Sequence, residues 1–253
     1  MSPNRRLLLQ AVALVVVLVA VFAVLARVVN FRNVTVPATN QAIAGPILLV
    51  PGYGGNTSAL TVLAAALRAT GRAVTIVTVP GDGTGDLALS VAALNAAVGE
   101  TGPPVDVVGY SAGGVVARLW AKESPERARR VVTLGSPHHG TQVAAIGAVL
   151  APGACPVACQ QLVPGSDLLD RLNDGDETPP GPQWLSLWTT QDQTVTPPDS
   201  ARLEGAVNVE LQQVCPGLQV THSDLPRDAT VTRIVSAALS GPAVTPPTAA
   251  VCG

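Results

Sequence analysis

Ser111 stands in Gly109-Tyr110-Ser111-Ala112-Gly113, a serine held between two glycines. The motif follows the apolar run Val105 to Val108 and precedes a helical pattern. That placement describes a strand-to-helix turn so tight that side chains at the glycine positions would clash, and the serine hydroxyl is lifted clear of the sheet. A hydroxyl is a weak nucleophile near neutral pH. It needs an imidazole to take its proton, and the imidazole needs a carboxylate to fix its tautomer. The chain holds three histidines. His138 and His139 are adjacent in Ser136-Pro137-His138-His139-Gly140-Thr141, where a pair after a strand reads as a turn cap or pocket wall. His222 lies in Val220-Thr221-His222-Ser223-Asp224, on a loop near the end of the chain. For the carboxylate, Asp192 follows the apolar run Leu185 to Thr189, whereas Asp199 lies beyond Pro197 and Pro198 and reads as a surface turn or helix cap. Ser111, Asp192 and His222 are the expected catalytic residues, with Asp199 the second choice for the acid. Attack on a carbonyl also needs backbone donors for the oxyanion. The expected donors are the N–H of Ala112 and the N–H of Tyr53, in the loop Pro51-Gly52-Tyr53-Gly54-Gly55-Asn56. This loop lacks the Lys-Ser/Thr of a P-loop and the spacing of a dinucleotide fingerprint.

Such residues need a frame. From residue 47 onward, β-branched runs at 47–50, 73–79, 105–108 and 131–134 alternate with helical patterns near 58–70, 86–98 and 113–121. Further strands are expected at 185–189 and 207–211, and a last helix near 229–239. Strands that are apolar throughout and joined by helices predict a parallel sheet covered on both faces, here of about six strands in a single α/β domain. Residues 144–182 break the alternation with Gly, Pro, Cys and Asp and no long periodic helix. A connection of that length is usually functional, such as a rim or lid over a site, and this one is too short for a large cap domain. Trp120, Trp184 and Trp188 fall near element ends and read as packing residues.

Composition narrows the classes further. Hydrophobic residues make up 47% and charged residues 13%, which excludes disorder and implies a large core. The net charge is -2 and Lys122 is the only lysine, so nucleic acid is excluded as a partner. Arg5 and Arg6 precede a run from Leu7 to Ala26 in which Gln10 is the only polar side chain. About 20 apolar residues match a bilayer core, whereas the apolar region of a cleaved signal peptide usually has about 7 to 15. The expected organisation is a cytoplasmic segment 1–6, an uncleaved membrane anchor 7–26, a tether 27–45 and a catalytic domain 46–253 outside the cytoplasm. Val24-Leu25-Ala26 keeps cleavage and secretion as the alternative. Four cysteines fit export and two disulfides. The preferred pairing is Cys155 with Cys159 and Cys215 with Cys252, the second pinning the C-terminal tail. No metal site is expected, because Cys155 and Cys159 have no partner pair at ligand spacing.

The glycine loop at 52–55, the elbow at 109–113, the Ser-Pro-His-His-Gly-Thr segment at 136–141, Asp192 and His222 together resemble the bacterial α/β-hydrolase lipases and esterases. The likeness is greatest to the small secreted ones of lipase class 2 type, built on a minimal sheet, and covers roughly residues 45 to 240. Nucleophile, acid and base follow in that order in this fold, which favours His222 over the adjacent pair. The resemblance implies a triacylglycerol lipase-like esterase: a Ser-Asp-His triad, an acyl-enzyme, no metal or organic cofactor and an ester or lipid substrate; a monomeric chain is expected. Many such lipases carry His before the oxyanion glycine. Pro51 stands there in this chain and removes a side chain that often buttresses the loop. An open site for short or medium acyl esters is expected. Two rivals share the same constellation: an acyltransferase on cell-envelope lipids, and a catalytically silent membrane-tethered binding module.

Overall fold

Runs of Val, Leu and Ile build six strands that pair only in parallel: β1 Ile47–Val50, β2 Val74–Ile76, β3 Val105–Tyr110, β4 Ala128–Leu134, β5 Gln183–Trp188 and β6 Val207–Glu210. Their order across the sheet is β2-β1-β3-β4-β5-β6. In the computed structural model, residues 15–17, 19–21, 39–101 and 104–253 are described. The chain divides into a unit up to Pro37 and a unit from Ala38 to Gly253. In the first, residues 15–17 and 19–21 are helical and exposed. The rest of the expected cytoplasmic segment, anchor and early tether lies outside the described residues. Among the described residues no helix is long and apolar enough to cross a membrane.

The helices cover the sheet as its two-residue period requires. Leu48, Val50, Val105 and Val107 point to one face, against α2 (Leu87–Thr101) and α3 (Ala112–Glu123). Ile47, Leu49, Val108 and Val132 point to the other, against α1 (Thr61–Ala69) and α8 (Ala229–Ser240). Each helix presents a stripe, such as Val231, Ile234, Val235 and Ala238 on α8. Asp228 starts α8 by accepting from the N–H groups of Thr230 (2.8 Å) and Val231 (3.0 Å), a cap worth about 1 kcal/mol. Across the sheet Val50 pairs with Gly109, Tyr110 with Leu134, and Leu134 with Leu187. The carboxyl ends of β1, β3, β4 and β5 therefore finish in one row, the place where open α/β sheets bind ligands.

At the opposite end Asp106 is fully buried between Arg72 (2.6 Å) and Arg129. Arg129 also donates to the carbonyl of Leu239 (2.7 Å), as does Arg72 (3.3 Å), and Arg130 donates to those of Ala238 and Gly241, so three arginines close the C-terminus of α8. The Gln41 amide donates to the carbonyl of Arg129 (3.0 Å), and Thr39 is buried. Thr39, Gln41 and Gly45 thus contact the domain, although the composition of this stretch reads as tether.

The connection between β4 and β5 holds three short helices: α4 Gln142–Leu150, α5 Val157–Gln161 and α6 Asp167–Asn173. The absence of a polar period hides α4, because after Gln142 the sequence Val-Ala-Ala-Ile-Gly-Ala-Val-Leu is apolar on every side. A four-residue helix, α7 (Leu211–Val214), follows β6. Disulfides join Cys155 to Cys159 and Cys215 to Cys252.

Candidate active site

β3 ends at Tyr110 and α3 begins at Ala112, so Ser111 alone makes the turn, at φ 54° and ψ −128°. A residue with a Cβ is held there at a cost of order 1–3 kcal/mol, which the surroundings must impose. Backbone crowding imposes it. A Cβ on Gly109 would overlap the carbonyl oxygen of Gly113, and one on Gly113 would overlap the carbonyl oxygens of Val50 and Pro51. The Ser111 N–H donates to the Leu134 carbonyl (2.8 Å), which ties the turn to the end of β4.

His222 Nε2 lies 3.0 Å from Ser111 Oγ, and His222 Nδ1 lies 2.6 Å from Asp192 Oδ2. All three residues are buried. The carboxylate is aimed by its own loop, since Asp192 Oδ1 accepts from the N–H groups of Thr194 and Val195, both at 2.8 Å. The loops carrying acid and base are stitched together. Thr189 Oγ1 donates to the Val220 carbonyl (2.7 Å), and the Val220 N–H donates to Gln191 Oε1 (3.0 Å). Behind the pair, Gly135 at φ 55° leaves no room for a side chain: its Cβ would meet Leu225, Asp192 Oδ2 and His222 Nδ1.

Tyr110 holds the histidine from the strand side. Its hydroxyl donates to the His222 carbonyl (3.2 Å), and the two rings lie 5.2 Å apart between centroids. Burial, aided by the Asp192 charge, pushes the phenol up to about 12, so it remains a donor.

The loop after β1 abuts the turn, where a Cβ on Gly52 would come within 3.0 Å of Ser111 Cβ. The N–H groups of Tyr53 and Ala112 have no hydrogen-bond partner among the described residues. That of Ala112 also opens α3, at the positive end of the helix dipole. Beside Ser111 lies a mostly apolar cavity of about 290 Å³, walled by Tyr53, Thr141, Ala144, Gly147, Cys159 and Val195 among others. α4 forms one side. Its outer residues face solvent, with Val149 76% and Leu150 79% exposed.

Thr141 roots α4 to the acid loop. Its hydroxyl donates to the Thr194 carbonyl (2.7 Å) and accepts from the N–H groups of Thr196 (3.0 Å) and Val143 (3.3 Å).

The other histidines stand apart from this line. His138 is fully buried with Nε2 3.1 Å from Thr133 Oγ1; burial and the neighbouring Arg118 charge push its pKa well below the ordinary value, so it stays neutral. His139 Nε2 lies 2.7 Å from Glu177 Oε1 and, with Asp199, lines a separate surface cavity. Asp199 itself sits in a 3-10 turn, Pro198–Ala201. Tyr110, Gly135 and Thr141 went unassigned in the sequence, because only the fold brings their partners to them.

The model of the Alpha/beta hydrolase family matches residues 47–250. No curated protein matches the chain. Among solved structures, Aspergillus fumigatus lipase B is 20% identical with a TM-score of 0.69, over 83% of this chain and 56% of that one. The chain thus spans little more than half the length of that lipase. Bacillus licheniformis lipase BlEst2 in mature form is 22% identical with a TM-score of 0.54, over 69% of this chain and 85% of that one. A metagenome-derived structure reported for the lipolytic enzymes LipS and LipT is 16% identical with a TM-score of 0.60, over 78% and 94%. At these identities the neighbours establish the fold, and the family match over most of the chain establishes membership: this protein belongs to the alpha/beta hydrolase family.

Proposed function

We propose that the protein is a serine hydrolase that cleaves carboxylic esters, with Ser111 as nucleophile, His222 as base and Asp192 as its orienting acid. The observation that carries this reading is the hydrogen-bonded line from Ser111 Oγ through His222 to Asp192, at 3.0 Å and 2.6 Å, on a turn strained to expose the hydroxyl. Ser111 Oγ attacks the ester carbonyl while His222 Nε2 takes its proton, and the oxyanion is met by the N–H groups of Tyr53 and Ala112. His222 then returns that proton to the departing alkoxide, which leaves as the alcohol. Water, activated by the same nitrogen, releases the acid from the acyl-serine and restores the hydroxyl. Throughout, Asp192 keeps Nδ1 protonated and stabilises the imidazolium.

The apolar cavity beside Ser111 suits the acyl half of the substrate rather than a charged group. Two disulfides support a domain that works outside the cytoplasm.

The test is hydrolysis of p-nitrophenyl butyrate by the full-length chain with both disulfides formed, beside Ser111→Ala. The expected outcome is turnover that falls by about 10⁴-fold or more in the variant. A variant as active as the parent, or a folded parent without activity, would overturn the reading.

A further inference from the structure

Resting on that reading, we propose that Gly147 sets the acyl-chain length the site accepts, by leaving open the space through which chains longer than butyryl extend. The argument begins from what glycines do elsewhere in the molecule. At Gly52, Gly109, Gly113 and Gly135 a Cβ would crowd neighbouring backbone or side chains. At Gly54, Gly71 and Gly140 a φ near +80° excludes most other residues. Gly147 has neither reason. It sits inside α4 with helical backbone, and a Cβ there would meet one atom within 4 Å, Cys159 Sγ at 3.8 Å, which is ordinary contact. Glycine in a helix interior costs stability relative to alanine, so folding alone disfavours it. Gly99, the other α-helical glycine with open space around it among the described residues, lies exposed near the C-terminal end of α2 and lines none of the cavities described.

What Gly147 does border is the cavity beside Ser111. Ala144, one turn earlier, lines the same wall, so two successive positions facing the site carry almost no side chain. Cys159 on α5 lines the same cavity, its sulfur bonded to Cys155 and within 4.0 Å of the Ala144 carbonyl. The open space is therefore set by what α4 does not carry. A cavity of roughly 150 Å³ accommodates a six-carbon ring. At about 290 Å³ this one has room for an unbranched acyl chain well beyond butyryl. A branched side chain at 147 would project toward Cys159 and shorten it.

The experiment compares kcat/KM for p-nitrophenyl acetate, butyrate and octanoate in the full-length parent, Gly147→Ala, Gly147→Leu and Val149→Leu, the last altering an exposed position on the same helix. The parent is expected to favour octanoate over acetate. Gly147→Leu is expected to lose about tenfold or more on octanoate while acetate stays within about twofold, and Val149→Leu to keep the parent profile. Gly147→Ala is expected to lower the octanoate-to-acetate ratio and to raise Tm, because it removes the glycine penalty. The Ala variant decides the matter if the Leu variant does not fold. Profiles parallel to the parent in the folded Gly147 variants would overturn the role of Gly147 alone, whereas absence of hydrolysis on every ester by the parent would overturn the esterase reading beneath it.

Discussion

The turn around Ser111 and the flap of α4 and α5 lie on either side of one cavity and are built on opposite terms. At the turn, backbone meets backbone. Gly109 and Gly113 are required by carbonyl oxygens that no rotamer can move, and Ser111 keeps its strained φ because the sheet and α3 leave it no other path. In the flap, side chains meet space: Val149 and Leu150 face solvent, Gly147 faces the cavity, and the segment is held by polar bonds at its ends, from Thr141 to the Thr194 carbonyl and from Gln161 to Asp86 and the Leu87 N–H. Chemistry that must not move is stored where substitution is forbidden. On the proposed reading, selectivity is stored where substitution is cheap.

Three substitutions test that contrast. Gly113→Ala should be the most damaging, because its Cβ drives into the carbonyls of Val50 and Pro51. We expect a loss of about 3 kcal/mol or more in urea unfolding, or no folded protein. A loss under about 1 kcal/mol would show that the turn relaxes and that the contrast is false.

Thr141→Val should cost about 1–2 kcal/mol, since it removes an N-cap and leaves the N–H groups of Thr196 and Val143 without their acceptor. Hydrogen exchange should accelerate in α4 and leave β3 unchanged. Equal acceleration in both would mean that flap and turn open together.

Tyr110→Phe should be the mildest. It keeps the ring against His222 and deletes one hydrogen bond, for an expected fall in kcat of about three- to tenfold with KM and Tm nearly unchanged. A fall in Tm without a change in kcat would make the tyrosine a packing residue and not a positioning one.

Legibility in the sequence follows the same division. The six-stranded parallel sheet can be read in advance because its central strands are buried on both faces and therefore rich in Val, Leu and Ile. The glycines around Ser111 are also readable, since a serine between two glycines directly after an apolar run marks the tight turn, although the carbonyls of Val50 and Pro51 that exclude a side chain at Gly113 come from a distant strand end. α4 is not, because the side it turns to solvent carries Ile146, Val149 and Leu150 and so shows no polar stripe. Nor is the part played by Tyr110: its partner His222 arrives 112 residues later, at a place only the assembled sheet defines. Likewise Gln41 looks like linker until the fold brings Arg129 beneath it.

The two disulfides differ in what they encircle. Cys155 and Cys159 are four residues apart and enclose little more than the start of α5, whereas Cys215 and Cys252 are 37 apart, with His222 and the whole of α8 between them. The segment that delivers the imidazole is thus an arc of a covalent ring. A protease that cuts the chain once anywhere between those two cysteines opens the ring without dividing the molecule, and the histidine stays joined to the serine it faces.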